Sequence, residues 1–369
     1  MYSSFSYESY GSPHQVLRLK ERCQPSLQPQ ELLVKMLYAP VNPSDLIPMT
    51  GAYAHRISLP ATAGYEGVGL VADVGCALSR KLIGQRVLPL EGEGTWQTFV
   101  KCPISHAFFV PDTLDLISAS QLYINPLTAW LLCTEVLALK PGQKLAVNAA
   151  GSTIGQIFAQ LSQILGFDFI AITRDSKKHH LLKERGAQEL RTDLVDLEVD
   201  AAIDCVGGQD GTDLAACVRS GGKFQALGLL SGEQVNWGKI AELPIDIGIF
   251  HLRHWNAKLS PEEWQKIMQT LANLVADRRL LLNQAVEIIP YDQLISSLKY
   301  PQKNKRLISF IKKRTSSNSC VYYLRLFIKT VPYVQGLFLC LKERLFQVIL
   351  GRACYQKQRY GLASKDFFL

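Results

Sequence analysis

The sequence contains no CxxC pair, and Cys23, Cys76, Cys102, Cys133, Cys205, Cys217, Cys320, Cys340 and Cys354 form no four-ligand pattern with histidine, Cys102 having only the single His106 four residues on. This argues against a zinc finger and against a disulfide framework, and it suits a reducing compartment. No apolar run reaches the roughly 18 residues a membrane-spanning helix needs. The opening "MYSSFSYESYGSPHQ" has no basic-then-apolar segment and no arginine excess. Secretion and organelle import are therefore not expected, and a cytoplasmic location is. Internal repeats and low-complexity linkers are missing as well. So is a basic footprint for nucleic acid. Of the net charge of +8, +7 lies after Lys313, where nine Lys/Arg face only Glu343 and Asp366. The remaining body carries +1, which leaves no polyanion surface and at most a local patch for one phosphate.

What is present is an ordinary globular chain of 369 residues, 47% hydrophobic and 20% charged, long enough for about two domains. Up to residue 121 the pattern is of short strands, at Glu31–Leu37, Val68–Val74, Gln85–Leu88 and Thr95–Val100. Loops rich in Gly and Pro separate them, which predicts a mostly β, barrel-like unit. From residue 122 the texture changes. "INPLTAWLLCTEVLAL" has helical periodicity, "KLAVNAA" reads as a buried strand, and "QIFAQLSQILG" is a helix closed by Gly166. "FDFIAITR" is a second strand and "SKKHHLLKERGA" a second Gly-ended helix. Strand and helix alternating in this way predict an α/β fold with a parallel sheet and right-handed crossovers. "VDAAIDCVGG", "KFQALGL" and "IDIGIF" add strands, and residues 261–313 suggest a return to the first unit. Residues 314–369 form a basic, apolar tail. A docked extension is the expected reading, and an amphipathic helix on an anionic surface is the alternative.

The strongest chemical signal is "KLAVNAAGSTIGQ". Gly151, Ser152, Thr153, Ile154 and Gly155 form the turn from a strand into a helix. Glycines there let the backbone approach a pyrophosphate at the positive helix N-terminus. At the end of the next strand, where an NAD enzyme places an acid, stands Arg174, with Lys177 and Lys178 close behind. A guanidinium suits the 2′-phosphate of NADPH better than a ribose diol, although Asp175 follows at once and softens the preference.

In their order along the chain, "NPSDL", "GYEGVG", "NPLTAW", "NAAGSTIGQ" and "IDCVGG" resemble the zinc-free medium-chain dehydrogenase/reductases over about residues 1–313. "NPSDLIPMTGAY", "AITRDSKK" and "FHLRHWNAKLSPEEW" are most similar to the 2-enoyl thioester reductases of that family. The resemblance implies a GroES-like catalytic domain from residues 1–121 and 261–313, enclosing a Rossmann NADP-binding domain at 122–260. It implies no metal. Ser44, Tyr65 and Pro126 stand where zinc relatives carry ligands, and Tyr65 is expected to pack as a buried ring.

Further roles come with the resemblance. Tyr53 matches the catalytic tyrosine, a neutral phenol able to donate a proton. Asn42 and Asp45 would organise the loop under the substrate. Asn42, Asn125 and Thr128 would reach the nicotinamide half of the cofactor, with an Asx turn and plain N-capping as the competing roles. Leu227, Gly228, Leu229 and Leu230 with Phe250, His251 and Leu252 would line the nicotinamide end, and Lys305 would reach a phosphate. The implied activity is NADPH-dependent reduction of a trans-2-enoyl thioester, small or carrier-bound, with quinone or general enone reduction, or a zinc-independent alcohol dehydrogenase-like activity, as alternatives. A nucleotide-responsive binding protein anchored by the tail is a reading of another class. Dimerisation is common on this fold. His55 and Arg56 depart from the family's loop after Tyr53, and such a basic pair could attract the phosphate of coenzyme A or of a carrier protein.

Overall fold

In the computed structural model the described residues are 1–90, 94–283, 285–300, 302 and 304–311. The tail at 314–369 lies outside them. Residues 1–312 form one compact unit that contains both kinds of sheet.

The parallel sheet holds six strands: β1 (Lys144–Val147), β2 (Asp168–Ile172), β3 (Glu189–Arg191), β4 (Val199–Asp204), β5 (Val218–Ala226) and β6 (Asp246–Ile249). Their spatial order is 3-2-1-4-5-6, and every pairing is parallel. The order reverses between β1 and β4, which opens a crevice beyond their carboxyl ends where ligands bind in such sheets. Buried Val, Ile, Leu, Ala and Phe fill both faces, as continuous apolar strands require. Four helices matter for the site: α1 (Ile124–Leu131), α2 (Thr153–Leu165), α3 (Leu252–Asn256) and α4 (Pro261–Ala276). The helical periodicity after α1 continues through a π-turn at Leu132–Val136. Gly166, at φ +83°, ends α2 in the left-handed conformation that favours glycine.

Of two further sheets, one of three strands and one of seven, the larger is built mostly from antiparallel strands of the chain's two ends. Glu31–Val41 lies at its centre and pairs with Val68–Val74, Phe99–Pro103 and Lys305–Ser309. Strand Val286–Pro290 runs parallel to Lys305–Ser309. In this register Arg306 faces Val41, so Lys305 arrives beside Asn42. Of residues 261–313, these two strands join the N-terminal sheet, whereas α4 packs its Trp264, Met268 and Leu271 into the core shared with α1 and α2. The expected strand Thr95–Val100 begins only at Phe99. Trp96 is fully buried instead, and its indole N–H donates to the Pro40 carbonyl at 3.2 Å. That inward anchor draws the segment out of the ladder.

Candidate active site

The turn after β1 fits a dinucleotide. Ser152 caps α2, its Oγ accepting from the Gly155 N–H at 3.3 Å. A Cβ on Gly155 would lie 2.2 Å from the Ala150 carbonyl oxygen, so only glycine lets the helix start this close to the strand. The first-turn N–H groups of a helix lack intrahelical partners, and Thr153 and Ile154 open α2 directly after the turn that follows β1. A Cβ on Gly151 would meet the Lys178 side chain at 3.1 Å, which puts that basic stem against the turn. Arg174 is exposed just past β2 and has no carboxylate partner among the described residues. Lys177 is exposed beside it. Asp175 turns away to local work, since its Oδ1 accepts from the Lys177 N–H at 3.1 Å. These groups suit a cofactor with an extra phosphate. Across the crevice, the Asn148 amide donates to Asp204 Oδ1 at 2.6 Å and accepts from the Cys205 N–H at 2.6 Å, tying the ends of β1 and β4 together. Leu227, Gly228, Leu229 and Leu230 follow β5 at the same edge. Gly228 lies so near the Cys205 carbonyl that a Cβ would fall within 2.5 Å of it.

Beneath the crevice is a buried polar floor that links both halves of the molecule. Glu66 Oε1 accepts from the Asn42 amide at 2.7 Å. Its Oε2 accepts from the N–H groups of Ile124, at 2.8 Å, and Tyr123, at 3.3 Å, and so caps α1. Asn42 Oδ1 accepts from the Asn125 amide at 3.4 Å and from the Lys305 ammonium. Asp45 Oδ2 accepts from the Asn42 N–H at 2.7 Å, and its Oδ1 accepts from the Tyr65 N–H at 3.0 Å. Two buried carboxyls thus lie in the field of one buried ammonium, which itself bonds Asn42. Burial pushes Asp45 up to about 7, with the Glu66 charge adding to the shift and its N–H donors and Lys305 opposing it. Burial also raises Glu66 and lowers Lys305.

The floor changes several expected roles. Lys305 does not stand free for a phosphate; its ammonium is buried on Asn42, facing Glu66 and Asp45. The Asn42 side chain joins this network, while the residue is also the N-cap of the short helix Pro43–Leu46, whose Asp45 accepts from its N–H. Asn125 does not cap α1, because Glu66 does. Thr128 is buried in α1. Phe250 is only 4% exposed, with its ring stacked on Trp255 at 6.4 Å between centroids, so it supports the nicotinamide end from the core rather than lining an open pocket. Leu252 is half-buried on α3. Glu66 escaped the sequence reading. The available signal was an acid set among apolar and Gly residues ahead of a buried strand, a place where a carboxylate needs partners.

Above the floor lies Tyr53, half-buried, with the Arg56 guanidinium 3.9 Å over its ring centroid and the His55 ring edge-on at 6.5 Å. Tyr65 is 40% exposed and is not the buried packing ring expected. Asp45 holds its backbone while the phenol reaches the region of Tyr53, Arg56 and Arg253. Desolvation, then the Asp45 charge, raises the Tyr65 phenol above its ordinary value. Ser44 Oγ is buried without a hydrogen-bond partner among the described residues, and Pro126 is buried inside α1. A hydroxyl, a phenol and an imide ring do not fit zinc, which takes thiolate, imidazole or carboxylate.

The family model for the alcohol dehydrogenase GroES-like domain matches residues 28–112. The mitochondrial enoyl-[acyl-carrier-protein] reductase of Mus musculus is 31% identical over 301 residues, 76% of this chain and 81% of that protein. A solved structure of a putative NADPH:quinone reductase from Bacillus thuringiensis is 42% identical, with a TM-score of 0.81 over 84% of this chain and 99% of that one. The complex of Etr1p with NADP and crotonyl-CoA shares the fold at 23% identity, with a TM-score of 0.73 over 84% of this chain and 99% of that one. With a GroES-like half, a 3-2-1-4-5-6 parallel sheet and these relatives, the chain belongs to the medium-chain dehydrogenase/reductase family.

Proposed function

We propose that this protein is an NADPH-dependent reductase of activated carbon–carbon double bonds, acting on trans-2-enoyl thioesters without zinc. One observation carries the reading: the phenol-bearing ring of Tyr53 stands under the Arg56 guanidinium, on the loop that follows the buried Asn42–Glu66 network. The enoyl reductase relative and the Etr1p complex support the substrate class. The unpaired Arg174 and the Lys178 stem beside Gly151 support NADPH over NADH.

NADPH would be held by the turn at Gly151 and Gly155 with Arg174 and Lys178, and would supply the hydride for Cβ of the alkene. Charge then develops on the thioester oxygen, and the chain must stabilise that oxygen and bring a proton to Cα. Tyr53 does this as a hydrogen-bond donor and proton source. The Arg56 guanidinium, 3.9 Å over its ring centroid, holds the ring in place. Glu66 and Asp45 hold the 42–45 turn, the Tyr65 corner and the start of α1 in fixed register, so the polar groups are placed before substrate arrives.

Quinone reduction is the second reading, favoured by the 42% identity to the Bacillus thuringiensis protein. NADPH oxidation measured with crotonyl-CoA, a long-chain enoyl-CoA and a benzoquinone, with NADH controls, separates the two. Faster turnover of the thioesters is expected; turnover of the quinone alone would overturn the first reading. A carrier-bound acyl chain, a homodimer and a cytoplasmic location belong to the same proposal. They are tested by pull-down with acyl-carrier protein, light scattering and cell fractionation.

A further inference from the structure

We propose that Tyr10 is a positioning residue for Tyr53: with Gly11 it clamps both ends of the loop that carries the catalytic phenol. The inference rests on the reductase reading and adds to it a residue from the opening segment of the chain. The loop spans residues 49–57. At its start the carbonyl of Met49, a fully buried residue, accepts from the Gly11 N–H at 2.8 Å. At its end the carbonyl of Ile57 accepts from the Tyr10 hydroxyl at 2.9 Å. Two neighbouring residues thus hold both ends of the loop, and Tyr53 lies midway between the two holds.

The loop has little anchorage of its own. Its backbone bonds after Gly51 are internal: the Ala54 N–H donates to the Gly51 carbonyl at 3.0 Å, and the N–H groups of Arg56 and Ile57 donate to the Tyr53 carbonyl at 3.0 and 3.1 Å. Among the described residues, the Tyr10 hydroxyl supplies the one hydrogen bond that ties residues 52–57 to another part of the chain. Ala52, Ala54 and His55 are exposed, so packing does not replace that bond. Gly51, at φ +91°, turns the chain into the loop, and a Cβ there would touch Tyr10 Cβ and Cγ at 3.4 and 3.5 Å. The Tyr10 side chain therefore rests on the turn while its hydroxyl reaches the far end. Tyr10 and Ile57 also pack, half-buried, against the same apolar core. A segment with few buried contacts opens locally at little cost. A proton donor misplaced by about 1 Å can lose up to about a hundredfold in rate, so the chemistry at Tyr53 needs its loop held in one place.

Tyr10→Phe keeps the ring against Gly51 and removes only the hydroxyl. With NADPH and crotonyl-CoA, kcat should fall about tenfold while KM for NADPH stays unchanged, the pattern of a bond felt only at the reacting atoms. In a Tyr53→Phe background the phenol is already gone. There the same substitution should change kcat less than about twofold, because its effect runs through that phenol. Hydrogen exchange of the full chain gives a readout independent of turnover. The amides of Ala54, Arg56 and Ile57 should exchange about tenfold faster in Tyr10→Phe, while those of residues 145–147 in β1 are unchanged. No loss of kcat, an equal loss in both backgrounds, or unchanged exchange at residues 54–57 would each overturn the proposal. Faster exchange in β1 as well would mean that the hydroxyl supports the fold rather than the loop, and would overturn it too. If the wild type reduces no enoyl thioester, the reductase reading fails, and exchange alone decides the clamp.

Discussion

Lys305→Met tests the floor of the site, because it keeps the buried aliphatic stem and removes only the ammonium. In the folded chain that ammonium faces Glu66 and Asp45 and bonds Asn42 Oδ1. Asp45 is raised from 3.8 to about 7 when folded, so folding takes up a proton between those values. The stability linked to Asp45 is thus fully present below about pH 4 and is lost as pH rises through about 7, an effect of about 4 kcal/mol at roughly 1.4 kcal/mol per unit. Removing the cation drives both carboxyls higher and extends the penalty upward in pH. At about pH 8 the variant should lose about 3–5 kcal/mol, the cost of leaving a buried charge without its partner. At about pH 5 Asp45 is protonated and the lost lysine bond is offset by relief of the lysine's own desolvation, so the loss should be about 1 kcal/mol or less. Urea unfolding followed by tryptophan fluorescence, with buried Trp96 as one reporter, measures the difference at the two pH values. A loss that is equal at both, or larger in acid, would refute the shared-charge account of the floor.

Arg174→Ala should raise the KM for NADPH by about ten- to a hundredfold while moving that for NADH much less, the scale of a lost charge-assisted bond; parallel NADPH and NADH titrations check it. Gly155→Ala places a methyl 2.2 Å from the Ala150 carbonyl. It should cost about 1–3 kcal/mol and weaken NADPH binding together with Tm, read by thermal unfolding with and without cofactor. Glu66→Gln puts an amide nitrogen against an N–H donor at either Asn42 or the start of α1. A stability loss of about 1–3 kcal/mol is expected, with kcat falling as the 42–45 turn loosens, measured by urea unfolding and steady-state assay.

The parts of this structure legible in the sequence are those whose physics is local. Gly155 and Gly166 punctuate a strand–helix unit in the order that a parallel sheet and a phosphate-binding turn require, and β1, α2 and β2 follow that reading. The floor was hidden because its partners are far apart in the chain. Lys305 reaches Asn42 only through the register of two antiparallel strands, and Glu66 meets α1 only once the two halves pack. The sequence motif drew attention to Tyr65 as a lost metal ligand, whereas the acid beside it does the structural work. Phe250 looked like a lining residue on type and position alone, but Trp255, one turn along, stacks on it and draws it into the core. Arg56 was visible as a departure from the family's loop. Its placement on the Tyr53 ring depends on how the loop folds back on itself.

The most direct test of the central claim is Tyr53→Phe, assayed with NADPH on crotonyl-CoA and on a benzoquinone. If the phenol holds the charged oxygen and supplies the proton, thioester reduction falls about a hundredfold or more while quinone reduction changes little. Small and equal losses on the two substrates would contradict it.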